Sequence, residues 1–360
     1  MLLCPFVATV RDWALFLFPE WVVISGMRNR VIWFPCLTLA LVITHVALAQ
    51  DITGGGSIVR DISGGATLIF RTPQNPTVQV SGGGRIKAKN KPAVRKQDPI
   101  LARANAARSA ATPRYAEAEQ QYRLAAQIAP DDARAFAGLG NVYVDQNRFA
   151  EAVHSYQKAL KVKPDYNGAY LPLAFSLARM NKYPEAIEIY HEALKRDSSP
   201  EVYNNLSFAY NHTGRYQEAI DASQQAIKML GETGEAYKLG FQERNEIRSY
   251  AYKNLGNAYN GLKRYDEAAI ALKKSAEIEP KNVSAHFNLG LTLYNAGRYS
   301  EAIESYKEVI KLRPKLSQAY FNLAITYVAI NDRKAAMEQY ESLKALDAEL
   351  AKQLYATIKQ

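Results

Sequence analysis

Residues 254–268 read NLGNAYNGLKRYDEA, and the chain repeats that phrase with small changes. Aligned with it are GLGNVYVDQNRFAEA (138–152), PLAFSLARMNKYPEA (172–186), NLSFAYNHTGRYQEA (205–219), NLGLTLYNAGRYSEA (288–302) and NLAITYVAINDRKAA (322–336), and a degenerate copy ends in RYAEA at 114–118. Units begin near 99, 133, 167, 200, 249, 283 and 317, a spacing of 34 residues with one short unit and one long one. A fixed period of this length is the signature of a stacked-repeat solenoid.

The places that stay small or bulky from unit to unit say what each unit is. One place holds Gly140, Ala174, Ser207, Gly256, Gly290 and Ala324, and twelve residues on stand Ala152, Ala186, Ala219, Ala268, Ala302 and Ala336. Small residues at two such places let a pair of antiparallel helices cross closely, where a larger side chain would push the axes beyond about 8–10 Å. Phe136, Tyr170, Tyr203, Tyr252 and Tyr320, with Leu139, Leu173, Leu206, Leu255, Leu289 and Leu323, form the expected core around that crossing. Gly214 and Gly297 fall where a left-handed C-cap ends the first helix. Pro130, Pro164, Pro280 and Pro314 stop the second. Each unit is therefore a helical hairpin.

The joint recurrence of these small, leucine, tyrosine, alanine and proline places over residues 99–350 resembles the tetratricopeptide repeat. The resemblance implies an all-α, right-handed solenoid of about seven hairpins whose first helices line a concave groove for a peptide or protein. Three departures stand out: His286 replaces an aromatic, Ser223 and Leu272 replace the second-helix tyrosine, and the unit starting at 200 exceeds the period by fifteen residues through EAYKLGFQERNEIRS (234–248). That insertion, with Glu235, Lys238, Glu243, Arg244, Glu246 and Arg248, reads as a loop leading into an extended first helix with solvent-facing charge. A hairpin cannot bury its own apolar faces, so the ends need caps. Leu350, Leu354 and Ile358 supply an apolar stripe for a C-terminal capping helix running on through 351–360. The alanine-rich LARANAARSAAT (101–112) makes the first hairpin the loosest.

Before the array lie two segments of another kind. Met27-Arg28-Asn29-Arg30, an apolar run from Val31 to Val46, and Ala47-Leu48-Ala49 occur in the order of a signal peptide, with Met27 as a second candidate start. Pro35 and His45 interrupt the run, which favours cleavage before Gln50 and a periplasmic protein; retention of 31–49 as a membrane tether is the alternative. Residues 50–98 are rich in glycine and proline, with alternating stretches such as SIVRDI and TLIFR, and read as a basic spacer holding short strands. Neither glycine run is a nucleotide loop, because no Lys-Ser/Thr follows and no helix opens there.

The charge and the reactive residues narrow the function. The net charge of +10 does not come from the repeats, where residues 131–360 hold thirty basic and twenty-eight acidic groups; residues 50–98 hold eight and three. This distribution, in an exported chain, points away from nucleic acid. Cys4 and Cys36 both precede the cleavage position, which leaves no cysteine chemistry in the mature chain. His154, His191, His212 and His286 stand in different units, and no nucleophile–base pair, metal set or cofactor motif is visible. Glu151, Glu185, Glu218 and Glu301 recur at one place of the hairpin and so serve the hairpin.

The expected function is a non-catalytic scaffold for a protein or peptide, in envelope assembly. The alternatives are an enzyme or enzyme accessory using 234–248, and a self-assembling envelope protein. In the geometry that the resemblance implies, the groove is lined by Asn204, Phe208, Asn211, Lys253, Asn257, Asn260, Phe287, Asn288 and Leu291, flanked by Arg134, Asn141, Asn295, Phe321 and Ile325. Lys253, Asn257 and Asn288 match the first half of the clamp with which some tetratricopeptide domains grip a C-terminal carboxylate. Gln318 and Asn322 stand where the clamp's later basic pair is expected.

Overall fold

The computed structural model describes residues 95–231 and 239–359. The leader, nearly all of the glycine-rich segment and residues 232–238 of the insertion lie outside the described residues. Among the described residues there are fifteen α-helices and no strand. Seven hairpins follow in order: α1 (Asp98–Arg108) with α2 (Tyr115–Ile128), α3 (Ala133–Asp145) with α4 (Phe149–Val162), and α5 (Tyr170–Arg179) with α6 (Tyr183–Leu194). They continue with α7 (Pro200–His212) and α8 (Tyr216–Leu230), α9 (Phe241–Gly261) and α10 (Tyr265–Ile278), α11 (Val283–Asn295) and α12 (Tyr299–Leu312), and α13 (Ser317–Ala329) and α14 (Arg333–Leu346). Each hairpin packs on the next, and α15 (Ala348–Lys359) closes the stack against α13 and α14.

What closes each hairpin is a bulky second-helix side chain lying over the small first-helix place. A Cβ on Gly140 would sit 2.5 Å from the Tyr156 ring, one on Gly290 2.8 Å from Tyr306, and one on Gly256 2.6 Å from Leu272. The alanines twelve places on, from Ala152 to Ala336, are wholly buried alongside. Leu272 thus does the tyrosine's packing. In the fourth hairpin both members change together, and the Ser207 and Ser223 hydroxyls bond at 2.6 Å, with Ser207 also donating to the Ala219 carbonyl at 2.8 Å. The deepest large side chains include Tyr122, Tyr156, Tyr190 and Tyr306, all on second helices. The first-helix aromatics expected in the core sit shallower: Phe136, Tyr203, Tyr252 and Tyr320 are half-buried. Their place lies at the edge of the crossing, where a polar tip can reach the preceding turn. Tyr170 donates to the Pro164 carbonyl (2.6 Å) and Tyr320 to that of Pro314 (3.0 Å). His286 reaches the Pro280 carbonyl through Nε2 at 3.0 Å, so the histidine substitutes for a tyrosine hydroxyl.

The turns inside the hairpins need a left-handed residue. Gly214 and Gly297 take φ of 72° and 73°, as their places in the phrase require, while Asn147, Asn181, Lys263 and Asn331 do the same work with side chains, at 58° to 61°. The residue after each of these opens the second helix. Where it is arginine it bonds the glutamate three places on, as in Arg148–Glu151 (2.9 Å), Arg215–Glu218 (3.0 Å) and Arg298–Glu301 (2.7 Å). Its guanidinium also covers a first-helix ring in several hairpins, 4.3 Å from Tyr143, 4.5 Å from Tyr210 and 4.6 Å from Tyr259. Glu151, Glu218 and Glu301 are thus turn fasteners, each contributing at most about 0.5 kcal/mol at the surface.

Three local features depart from the regular unit. The insertion feeds into α9, which at 21 residues is the longest helix described, and Glu243 caps its start by accepting from the Gly240 amide at 2.9 Å. Its charges are less exposed than the sequence implies: Glu243, Arg244, Glu246 and Arg248 are all half-buried, because the added turns lie on the end of α8, where Ile247 packs with Leu230 and Tyr250. The first hairpin, poor in bulky groups, buries Leu101, Ala104 and Ala107 and locks on with polar contacts. Gln97 donates to Asp132 (3.0 Å), Arg134 bridges Asp98 (2.7 Å) and Asp132 (2.6 Å), and Arg108 pairs with Asp145 (2.7 Å). Burial raises the Asp132 carboxyl, but the bonds from Arg134 and Gln97 outweigh it and hold it down at about 2. At the other end, α15 buries Ala351, Leu354 and Ile358, with Leu350 half-buried beside them.

Lys263 is the left-handed turn residue least suited to its backbone, since a non-glycine side chain there costs about 1–2 kcal/mol. Lys263→Gly is expected to raise the urea midpoint of helix loss, followed by circular dichroism, by the equivalent of about 1 kcal/mol. A lowered midpoint would show that the lysine makes a compensating contact.

Candidate functional site: the first-helix faces of hairpins four to six

The repeat phrase places Asn205, Asn254, Asn288 and Asn322 at one place in the first helices of hairpins four to seven, and packing turns Asn254 and Asn288 toward the preceding first helix. Asn254 of α9 donates to both the carbonyl (3.2 Å) and Oδ1 (3.1 Å) of Asn204 on α7, and Asn211 donates to the Asn254 carbonyl at 2.9 Å. One hairpin later, Asn288 of α11 donates to Asn257 Oδ1 (2.9 Å), and Asn260 donates to Thr292 Oγ1 (2.6 Å). Lys253 lies 3.5 Å from the Ser284 hydroxyl, and Asn282 reaches Ser249 at 3.4 Å. The first helices of these hairpins are thus joined by a seam of amides and hydroxyls.

Winding the first helices this closely consumes several residues expected to line the groove. Asn204 is wholly buried, Lys253 is 2% exposed, Phe287 1%, and Phe208 and Asn288 are buried as well. Phe287 packs edge-on against Tyr306, with centroids 5.8 Å apart. Phe208 lies against His212 and Tyr183, and His212 stacks on Tyr183 at 4.6 Å. These five are corrected to packing residues, because their side chains satisfy neighbouring helices and not solvent. Asn211, Asn257, Asn260 and Leu291 remain half-buried, and of the flanking set Asn295 and Arg134 are exposed and Ile325 half-buried. Arg134 is engaged by Asp98 and Asp132. Asn211 and Asn260 each keep a buried Oδ1 without a partner.

The half-clamp that Lys253, Asn257 and Asn288 suggest is not assembled around a free ammonium. The Lys253 ammonium is enclosed, 4.7 Å from the Tyr250 ring centroid, and Gln318 bonds Asn322 at 3.0 Å. Burial pulls the Lys253 amine down to about 7 against the opposing pull of Glu279. Glu279 is itself raised, by burial and then by the Glu246 charge, and burial with the nearby Lys253 charge lowers His212 to about 4. His191 bonds the Tyr210 hydroxyl at 2.9 Å. Among the described residues no three histidine, cysteine or carboxylate side chains converge as a metal site, and no helix is long and apolar enough to cross a membrane.

Sequence profiles described as tetratricopeptide or TPR repeats match residues 140–181, 171–232, 256–297, 283–316 and 317–350. The chain belongs to the tetratricopeptide-repeat family. No curated protein matches it. Among solved structures, a tetratricopeptide repeat protein from Parabacteroides merdae superposes with a TM-score of 0.53 at 14% identity, covering 73% of this chain and 99% of that one. The structure from the functional characterisation of Pseudomonas aeruginosa PilF gives 0.50 at 23%, over 62% and 97% of the two chains. PilW, described as a widely conserved type IV pilus biogenesis factor, gives 0.51 at 21%, over 59% and 92%. At these identities the likeness is one of fold. The buried seam was not foreseen from the sequence, although paired asparagines at a fixed place in successive repeats were the available sign.

The enclosed lysine fixes a pH dependence. Its amine sits at about 7 in the folded chain against 10.5 for an exposed lysine, so between those values the unfolded chain binds more protons and stability rises with pH. Lys253→Met is expected to add roughly 3 kcal/mol at neutral pH and to flatten that rise, read from urea melts across the window. A destabilised variant would show that the ammonium is needed for packing.

Proposed function

We propose that the array is a non-catalytic scaffold that holds a peptide or partner protein against the first-helix faces of its later hairpins. The observation that carries this reading is the division of labour on those faces. Asn204, Phe208, Lys253, Phe287 and Asn288 are spent on packing, while Asn211, Asn257, Asn260, Leu291, Asn295 and Ile325 keep exposed surface. The exposed Asn295 amide suits backbone groups of a peptide, and the half-buried Leu291 and Ile325 offer apolar contact for side chains. Family membership supports a binding role, since tetratricopeptide arrays stack hairpins into extended interaction surfaces. His191, His212 and His286 serve structural contacts in separate hairpins, which favours binding over chemistry.

The order of basic cluster, apolar run and Ala47-Leu48-Ala49 supports export and a periplasmic partner in envelope assembly, with the chain starting at Gln50. N-terminal sequencing of protein recovered from cell fractions tests this: Gln50 first in the soluble envelope fraction is expected, and an intact chain in the cytosol would overturn it. For the face itself, photo-crosslinking residues at Leu291 and Ile325 are compared in native cells with one at Ile270, which is 59% exposed on α10. Shared adducts from the first two positions, absent from the third and weakened about tenfold by Asn257→Ala with Asn260→Ala, are expected. Identical adducts from all three positions would remove the assignment.

A further inference from the structure

The two ends of the array are fastened by different chemistry. At the C-terminal end α15 docks through apolar side chains, with Ala351, Leu354 and Ile358 packing among Phe321 and Ala324 of α13 and Leu343 of α14. At the N-terminal end three ion pairs cross from the first hairpin to the second. Arg108 of α1 meets Asp145 at 2.7 Å, Asp98 of α1 meets Arg134 at 2.7 Å, and Glu119 of α2 meets Arg148 at 3.1 Å. Glu119 also accepts from the Tyr143 hydroxyl at 3.0 Å, and Gln97 donates to Asp132 at 3.0 Å. Pairs of later hairpins, such as Arg215–Glu218 and Arg264–Glu267, lie within one hairpin. Arg298 does reach across to Asp266 of the preceding hairpin, but at 3.7 Å.

The apolar part of the first junction is thin. Hairpin one brings Leu101 and Tyr122, the latter against the backbone at Gly138, and otherwise buries the alanines Ala104, Ala107, Ala118 and Ala125. An alanine removes a single methyl from water, where a leucine removes an isobutyl group. Charged contacts therefore carry a larger share of the docking here than they do at α15. Inside the hairpin, the Tyr122 hydroxyl bonds Asn105 and the Arg114 N–H bonds the Ala107 carbonyl at 2.9 Å, contacts that tie α1 to α2 without α3. We propose that the first hairpin is an ionic latch: when its ion pairs are weakened, α1 and α2 leave α3 as one unit while the hairpins beyond stay stacked. Release uncovers Tyr143 and Asp145 of α3 together with the backbone at Gly138.

Salt reaches the three pairs unequally. Arg134 and Arg148 are 45% and 39% exposed, so mobile ions screen their pairs, whereas Arg108 is 10% exposed and its pair is screened less. Screening does not weaken the apolar contacts of α15. The inner pair responds instead to substitution, because removing Arg108 leaves the Asp145 carboxylate enclosed without its counter-charge.

Hydrogen exchange on the full chain, read by mass spectrometry, tests the latch with α15 as the internal standard. Between about 0.05 M and about 1 M sodium chloride, the amides of α1 and α2 are expected to exchange about fivefold faster relative to those of α15, both helices changing together. At low salt Arg108→Met is expected to speed exchange in α1 and α2 about tenfold with α13 to α15 unchanged, and Arg108→Lys, which keeps the charge, to fall between it and the unsubstituted chain. An equal response of α1, α2 and α15 to salt overturns the latch, and so does a response of α1 without α2. Equal loss of protection in Arg108→Met and Arg108→Lys overturns the ionic role of the inner pair. If Arg108→Met does not fold, Asp98→Asn on an outer pair decides the point: about threefold faster exchange in both helices is expected, and no change overturns the latch.

Discussion

The structure rests on a contact that recurs within the hairpins: a small residue of the first helix under its partner sixteen positions on in the second, a partner that is bulky in the second, fifth and sixth hairpins and a serine in the fourth. Gly140 beneath Tyr156 and Gly290 beneath Tyr306 leave no room for a Cβ without movement of a ring that is itself buried. Because both members belong to one unit, the contact sets the distance between the two helices before any neighbour is present. The left-handed turn residue and the arginine–glutamate fastener then fix the reversal between them. Stacking follows, since the outer faces of a closed hairpin are apolar on both sides.

This arrangement explains why the fold was legible and the binding face was not. Period, small places, glycine turns and terminal prolines are all set inside the hairpin, so a sequence shows them directly. The departures were legible as departures, and structure supplied their compensation: Ser207 with Ser223, Leu272 over Gly256, and His286 reaching the Pro280 carbonyl. Whether Phe287 or Lys253 faces a groove depends on how closely one first helix lies against the next. That spacing is set between hairpins by contacts such as Asn288 to Asn257, which periodicity does not reveal. The half-buried charges of Glu243 to Arg248 were missed for the same reason, since they depend on where α9 meets the end of α8.

The amide seam also separates two meanings of a repeated asparagine. Asn254 and Asn288 occupy the same place in successive units and both donate to the previous first helix, one to Asn204 and the other to Asn257. Their repetition serves stacking. Asn211 and Asn260, at another shared place, each donate through the amide nitrogen to the next first helix and leave Oδ1 buried without a partner, so the same residue type there is only half satisfied.

A hairpin closed by partners sixteen residues apart can form while the rest of the chain is still being made. Contacts of such short sequence separation favour fast folding, and during synthesis the emerging array would add one finished unit at a time to a growing edge. The fifth hairpin breaks that rhythm. Its first helix cannot begin until the added residues beyond α8 have emerged, and Ile247 then has to find Leu230 across the insertion. Synthesis therefore passes through a stage in which four hairpins are complete and the seam's first partner, Asn204, still awaits Asn254.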